Sequence, residues 1–179
     1  MHRSRPRYQI AGAVAAVVTL ATLSLPTIST AATCTAAIQR AADEAGAPRS
    51  ILLAIGAVES SGHPWAVNDS GQSLLFATRD EAAAYLRQQI ERGRTNLDIG
   101  CLQLNWYWHG DQLGTPDTAL DPYFNALYAA QYLRTLYAEF GSWSAAVGAY
   151  HSRRSVRAEG YRCRIAKVLQ PGHPIDGCR

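Results

Sequence analysis

The sequence predicts a mostly α-helical single domain. Three observations carry that reading: apolar residues recur at helical spacing between recognisable caps, no segment alternates apolar and polar residues for long, and no internal repeat divides the chain. The chain has 179 residues, 47% of them apolar, with 17 Lys/Arg against 14 Asp/Glu for a formal charge of +3. That is a globular composition, and it excludes disorder or low complexity for the bulk of the chain.

The first helix is expected from Cys34 to Ala45, rich in alanine and closed by Gly46 and Pro48. Ser50 offers a cap for a second, from Ile51 to about Ser61, stopped by Gly62 and Pro64. Turn signals then cluster at Asn68, Asp69 and Gly71 among short apolar pieces, which suits a turn or a small hairpin. Thr78-x-x-Glu81 is a capping box opening a helix that runs to Arg92 before Gly93. Residues 96–110, NLDIGCLQLNWYWHG, are expected as a loop. Asp121-Pro122 starts the clearest helix, with Tyr123, Leu127, Ala130, Leu133, Tyr137 and Phe140 near helical spacing and Gly141 as the stop. Ser142 caps the next helix, through about Tyr150, and residues 157–169 form the last before Pro171. Five or six short helices with one irregular region are therefore expected.

Residues 1–32 stand apart. Arg3, Arg5 and Arg7 precede a 16-residue apolar run that ends at Leu25, and Thr30-Ala31-Ala32 supplies small residues for cleavage. That order is expected of a secretory signal peptide, and the run is shorter than the ~20 residues of a comfortable membrane span. An uncleaved anchor is the alternative. Removing these residues takes three arginines and no acid, leaving 14 bases against 14 acids in residues 33–179. The remaining charge is uneven, with seven Lys/Arg and two acids from His151 to Arg179. Such a basic segment suits contact with anionic envelope polymers or a plain solvated surface. Cys34, Cys101, Cys163 and Cys178 follow the leader in no metal-binding pattern, so two disulfides are expected, with three connectivities open.

Three segments could do chemistry. Glu59 follows Leu52 by seven positions and Ile55 by four, so it shares the apolar stripe of its helix. Desolvation there would keep its carboxyl protonated near neutral pH, as donation to a glycosidic oxygen requires. Helical position alone favours the alternative, a side chain that snorkels into water from a frayed end. The second segment runs Asp98-Ile99-Gly100-Cys101-Leu102-Gln103-Leu104-Asn105 and continues into Trp106, Tyr107 and Trp108. Amides and a carboxylate beside aromatic rings suit a carbohydrate cleft, though such clusters also serve ordinary packing. The third is Ala145 to Ser152, a small-residue helix ending in Tyr150 and His151. His63, His109 and His173 read as ordinary loop histidines, and no nucleophile elbow is present.

Taken in order, these segments resemble the lytic transglycosylases of the SLT type, which have a lysozyme-like fold and cleave peptidoglycan. The resemblance covers roughly residues 34–152. Leu53 to Gly62 is similar to the family's helix ending in Glu-Ser, Gly100-Cys101-Leu102-Gln103 stands where the family has Gly-Leu-Met-Gln, and Ala149-Tyr150-His151-Ser152 stands at its Ala-Tyr-Asn. His151 departs from the asparagine of other members. The cysteine in Asp98-Ile99-Gly100-Cys101 resembles an envelope subgroup, which implies Cys34–Cys101 and leaves Cys163 for Cys178.

The resemblance implies a lysozyme-like transglycosylase domain over residues 33–152, with residues 153–179 as a basic helix and tail packed on it. Glu59 would be the catalytic acid and then base, cleaving the bond between N-acetylmuramic acid and N-acetylglucosamine to leave a 1,6-anhydromuramoyl end. Gln103, Asn105 and Tyr150 would line the cleft, with Ser60, His151, Trp65 and Trp106 as further candidates for substrate contact. No cofactor, metal or nucleic acid is implied. The expected partner is the glycan strand of peptidoglycan, met by a monomer in the periplasm or beyond, with a secretion, pilus or flagellar apparatus as a candidate assembly. Two other readings stay open: a water-using muramidase with Asp98 as second carboxylate, and a noncatalytic glycan-binding envelope protein.

Overall fold

The computed structural model describes residues 30–169 together with His173 and Ile175, and side chains from Thr33 onward. The expected signal peptide lies outside the described residues except for its last three positions, and Cys178 lies outside them as well. The order of elements is α1 (Thr30–Ala45), α2 (Arg49–Ser60), β1 (Ala66–Asp69), β2 (Gln72–Leu75), α3 (Arg79–Glu91), β3 (Leu97–Ile99), β4 (Leu104–Asn105), α4 (Trp106–Leu113), α5 (Pro116–Ala119), α6 (Pro122–Phe140), α7 (Trp143–His151) and α8 (Ser155–Val168). The fold is mostly α, with a small antiparallel sheet in the order β2-β1-β3-β4. Among the described residues no helix is long and apolar enough to cross a membrane.

Several starts and stops follow the local chemistry. Thr78 and Glu81 close a reciprocal capping box on α3. Asp121 and Ser142 accept hydrogen bonds from the amides of Phe124 and Ala145 to cap α6 and α7, and Gly141 ends α6 at φ 73°. Ser50 does not cap α2. The helix starts at Arg49, and Pro48 holds the cap with extended ψ of 116°, its carbonyl accepting from the Leu52 amide. A proline has no N–H to satisfy there and a φ already suited to helix entry.

Residues 96–110 are not a plain loop, as the sequence suggested, but hold β3, β4 and the start of α4. Strands of three and two residues are too short to display alternation, and pairing across space defines them: Val67 faces Ile99, and Asp98 faces Asn105. Helix α4 escapes recognition because it buries only Leu113, and α5 because it is a single capped turn on Thr115.

The core runs between α1, α2, α6 and α7. On α6 the buried face is Asn125, Ala126, Ala129, Ala130, Leu133 and Leu136, and Phe140 is exposed. Of the expected stripe, Ala130 and Leu133 lie in this face, whereas Tyr123, Leu127 and Tyr137 lie at its margin, because the alanines let α1 and α7 approach where large rings would hold them apart. Gly56 serves the same end on α2, since a Cβ there would sit 2.6 Å from Ile38 Cδ1 and 3.1 Å from Leu102 Cδ2.

Cys34 and Cys101 form a disulfide across 67 residues, joining α1 to the turn after β3. Closing a loop of that length stabilises the fold by about 4 kcal/mol. The same turn is held from the other side by Asn125. Its Nδ2 donates to the carbonyls of Ile99 and Ala119 at 2.9 and 3.0 Å, and its Oδ1 accepts from the Leu102 amide at 2.9 Å. Gly100 makes room for that amide, with φ of 81° and no side chain where a Cβ would fall 2.7 Å from Asn125 Nδ2.

Candidate active site

Helix α2 buries Ile51, Leu52, Ala54, Ile55 and Gly56, and the turn that continues this face carries Glu59 to the wall of a cleft. The backbone turns away two residues later, with Ser61 left-handed at φ 52°. Glu59 is only partly exposed, and its carboxyl pKa is pushed up to about 7. Loss of hydration is the main cause; the Tyr161 hydroxyl opposes it, the nearby Asp98 adds to it, and Arg164 draws it back. The Tyr161 hydroxyl closes no hydrogen bond of good geometry, yet it is buried against Glu59 and favours the ionised form. Glu59 is therefore an acid close to half protonated at neutral pH.

The cleft has a volume of about 790 Å³, within the range of ligand-binding pockets. Its lining brings together Glu59, Asn68, Asp98, Gln103, Asn105, Tyr150 and His151. Asp98, in the middle of β3, is raised by burial and steadied by Asn105, whose Nδ2 donates to its Oδ1 at 2.8 Å. The Asn105 carbonyl oxygen is buried without a partner. Gln103 takes φ of 48° and turns its Nε2 to the carbonyls of Ala66 and Gly100 at 3.1 and 3.0 Å. Its amide nitrogen thus shapes the cleft wall.

The facing wall is aromatic. Tyr150 donates to the Leu102 carbonyl at 2.9 Å, and burial beside Glu59 holds its phenol far above the ordinary range. Its ring leads to Tyr132 at 5.7 Å and on to His109 at 4.8 Å. His109 is not an ordinary loop histidine: it lies on α4, lines the cleft, and sets Nδ1 2.9 Å from the Tyr128 hydroxyl. Burial lowers its pKa, so the ring is held neutral. His151 stacks flat on Tyr161 at 4.7 Å, and burial with the Arg164 and Arg157 charges lowers its pKa.

Three residues singled out in the sequence are placed elsewhere. Ser60 is buried behind the cleft, donating to the Cys101 carbonyl at 2.8 Å, which ties the end of α2 to the disulfide turn. Trp65 packs on the core with its edge to His63, and Trp106 lines a separate shallow hollow with Tyr107 and Asp111. Conversely, nothing in the sequence singled out Tyr161. Its signal was the stripe of Ala158, Tyr161 and Ile165 in the last helix, which shows burial but not which carboxylate the hydroxyl meets. Among the described residues no three His, Cys, Asp or Glu side chains converge as a metal site.

The profile of the Transglycosylase SLT domain matches residues 36–159, from α1 into α8. No match to a curated protein or to a solved structure was found. The profile takes in Glu59, the β3–β4 turn and the Tyr150-His151 helix end, which the fold gathers round one cleft. With this match over most of its length and a helical fold consistent with it, the chain belongs to the SLT transglycosylases of the lysozyme-like superfamily, whose substrate is peptidoglycan.

Proposed function

We propose that the protein is a peptidoglycan lytic transglycosylase in which Glu59 acts first as general acid and then as base. The observation that carries this reading is the Glu59 carboxyl, desolvated at the cleft wall and raised to about 7. An acid so tuned is protonated often enough to donate and basic enough to take the proton back. In the first half of the reaction Glu59 gives its proton to the oxygen between N-acetylmuramic acid and N-acetylglucosamine. In the second it accepts the proton of the muramoyl C6 hydroxyl as that oxygen attacks C1, leaving a 1,6-anhydromuramoyl end and consuming no water. The nucleophile belongs to the same sugar, so orientation supplies much of the rate.

Tyr161 is a positioning residue behind the acid, and Tyr150 and His109 form the wall against which the sugars lie. Asn105 supports Asp98 through the hydrogen bond from its Nδ2. Export to the envelope is supported by the basic, apolar and small-residue order of residues 1–32 and by the Cys34–Cys101 disulfide, a bond of oxidising compartments. Asp98 lines the same cleft and is the residue a water-using route would need.

Zymography on murein, with wild type beside Glu59→Gln, tests the assignment when combined with mass spectrometry of the released fragments. Clearing by the wild type alone and anhydro ends are expected. Reducing ends would move the chemistry to the water-using route, and full activity of Glu59→Gln would overturn the role given to this residue.

A further inference from the structure

The cleft carries a charge asymmetry that bond cleavage leaves unused. Its carboxyl groups, Glu59 and Asp98, come from α2 and β3, whereas Arg153, Arg154 and Arg157 line it from the junction of α7 and α8. Arg153 is engaged, donating from Nη1 and Nη2 to the two Glu139 oxygens at 2.5 and 2.9 Å. Arg154 and Arg157 differ: both are exposed, and among the described residues neither forms an ion pair. No acid occupies the first turn of α8 to neutralise them. The charge of Arg157 is felt inside the cleft, where after burial and Arg164 it contributes to lowering the pKa of the His151 imidazole.

Unpaired guanidinium groups are forks for carboxylates, which they hold through paired charge-assisted hydrogen bonds. The anion here must be one that arrives with the sugar, because the arginines and Glu59 share one cleft. In peptidoglycan the muramoyl sugar carries a peptide on its lactyl group, and that peptide contains acidic residues with free carboxylates. One polymer therefore supplies both the bond for Glu59 and an anion for the arginines.

We propose that Arg154 and Arg157 form a subsite for the carboxylates of the peptide stem, so that the enzyme takes peptide-bearing glycan in preference to bare glycan. This rests on the peptidoglycan-cleaving reading of the cleft and adds which form of the polymer it selects.

The test is calorimetric binding to the full chain of two soluble ligands: the N-acetylglucosaminyl-N-acetylmuramic acid disaccharide carrying its peptide stem, and the same disaccharide without it. The stem is expected to raise affinity about ten-fold at low ionic strength. Most of that gain should vanish in about 0.5 M salt, where charges are screened within a few ångströms, and in the Arg154→Gln/Arg157→Gln double variant. An Arg154→Lys/Arg157→Lys variant should recover part of it, which a merely structural role would not require. Equal affinity of the wild type for the two ligands, including no measurable binding of either, overturns the proposal, as does a Gln variant that keeps the full difference. Product analysis on murein is a separate measurement. Loss of the stem preference with anhydro ends still formed defeats the subsite alone, whereas absence of anhydro ends defeats the cleavage reading.

Discussion

One short strand separates two carboxylates that the protein treats in opposite ways. Neighbouring residues of β1 point to opposite faces: Asn68 lines the cleft that holds Glu59, and Asp69 turns away toward α3. Asp69 is 4% exposed, yet it is fully provided for, accepting from the Tyr85 hydroxyl at 2.7 Å and from Arg94 Nη2 at 2.8 and 2.9 Å. The Tyr85 bond leads in holding its pKa below the ordinary range, with Arg94 assisting against burial. Glu59 has lost water without such partners, and its pKa goes up. Burial alone therefore does not set a carboxylate's role. The partners do: a satisfied anion pins the end of a strand, and an unsatisfied one is an acid with a proton to give.

Five measurements would break or sharpen this contrast. The largest effect is on rate. Replacing Glu59 with Gln should lower murein release by about 10³-fold, since the amide can neither donate nor accept the proton. Release by the wild type should also fall as pH rises through about 7, when Glu59 ionises. A rate that stays flat from mildly acid to alkaline pH would contradict the raised pKa.

Next comes stability on the cleft side. A carboxyl raised from 4.5 to about 7 contributes stability below its unfolded pKa and loses it as pH rises through the folded value. The ionised form then costs the fold on the order of 3 kcal/mol. Urea unfolding should accordingly find Glu59→Gln more stable than wild type at pH 8–9, with the gap closing toward pH 4.

The partner experiment on β1 runs the other way. Asp69→Asn should cost about 2 kcal/mol at neutral pH, because it removes a charged acceptor from Tyr85 and Arg94. With its folded pKa lowered, Asp69 contributes stability above the ordinary carboxylate value and loses it as pH falls through the folded one, so the variant and wild type should converge in acid. Smallest is Tyr161→Phe. It removes a hydroxyl that favours ionised Glu59 while keeping the ring under His151, so the alkaline limb of activity should move upward with little change in melting temperature. A downward shift would mean the hydroxyl acts on the protonated acid instead.

Much of this was legible in the chain because it rests on local chemistry. Thr78, Asp121 and Ser142 announce their helices through side chains that bond an amide three residues on. Glu59 could be singled out because its stripe with Leu52 and Ile55 is a matter of helical angle, but that position alone favoured a solvated side chain, and its role came from the ordered likeness to the SLT family. The five-residue total of β3 and β4 could not, since their pairing partners lie outside any local window. Nor could Asn125, a polar residue on an apolar helix whose side chain bonds the backbone of Ile99 and Leu102, far back along the chain, as well as that of nearby Ala119.

The sequence by itself determined the helical class, the main helix boundaries and the order of the segments that carry the family likeness, because caps, stops and periodicity act over a few residues. Only the tertiary structure decided that Ser60 would tie the disulfide turn and leave Glu59 at the cleft wall, and that Tyr161 would lie behind it. The reason is physical. A carboxyl's acidity depends on the water, charges and hydroxyls around it in space, and these come from α8 and β3, far along the chain from α2.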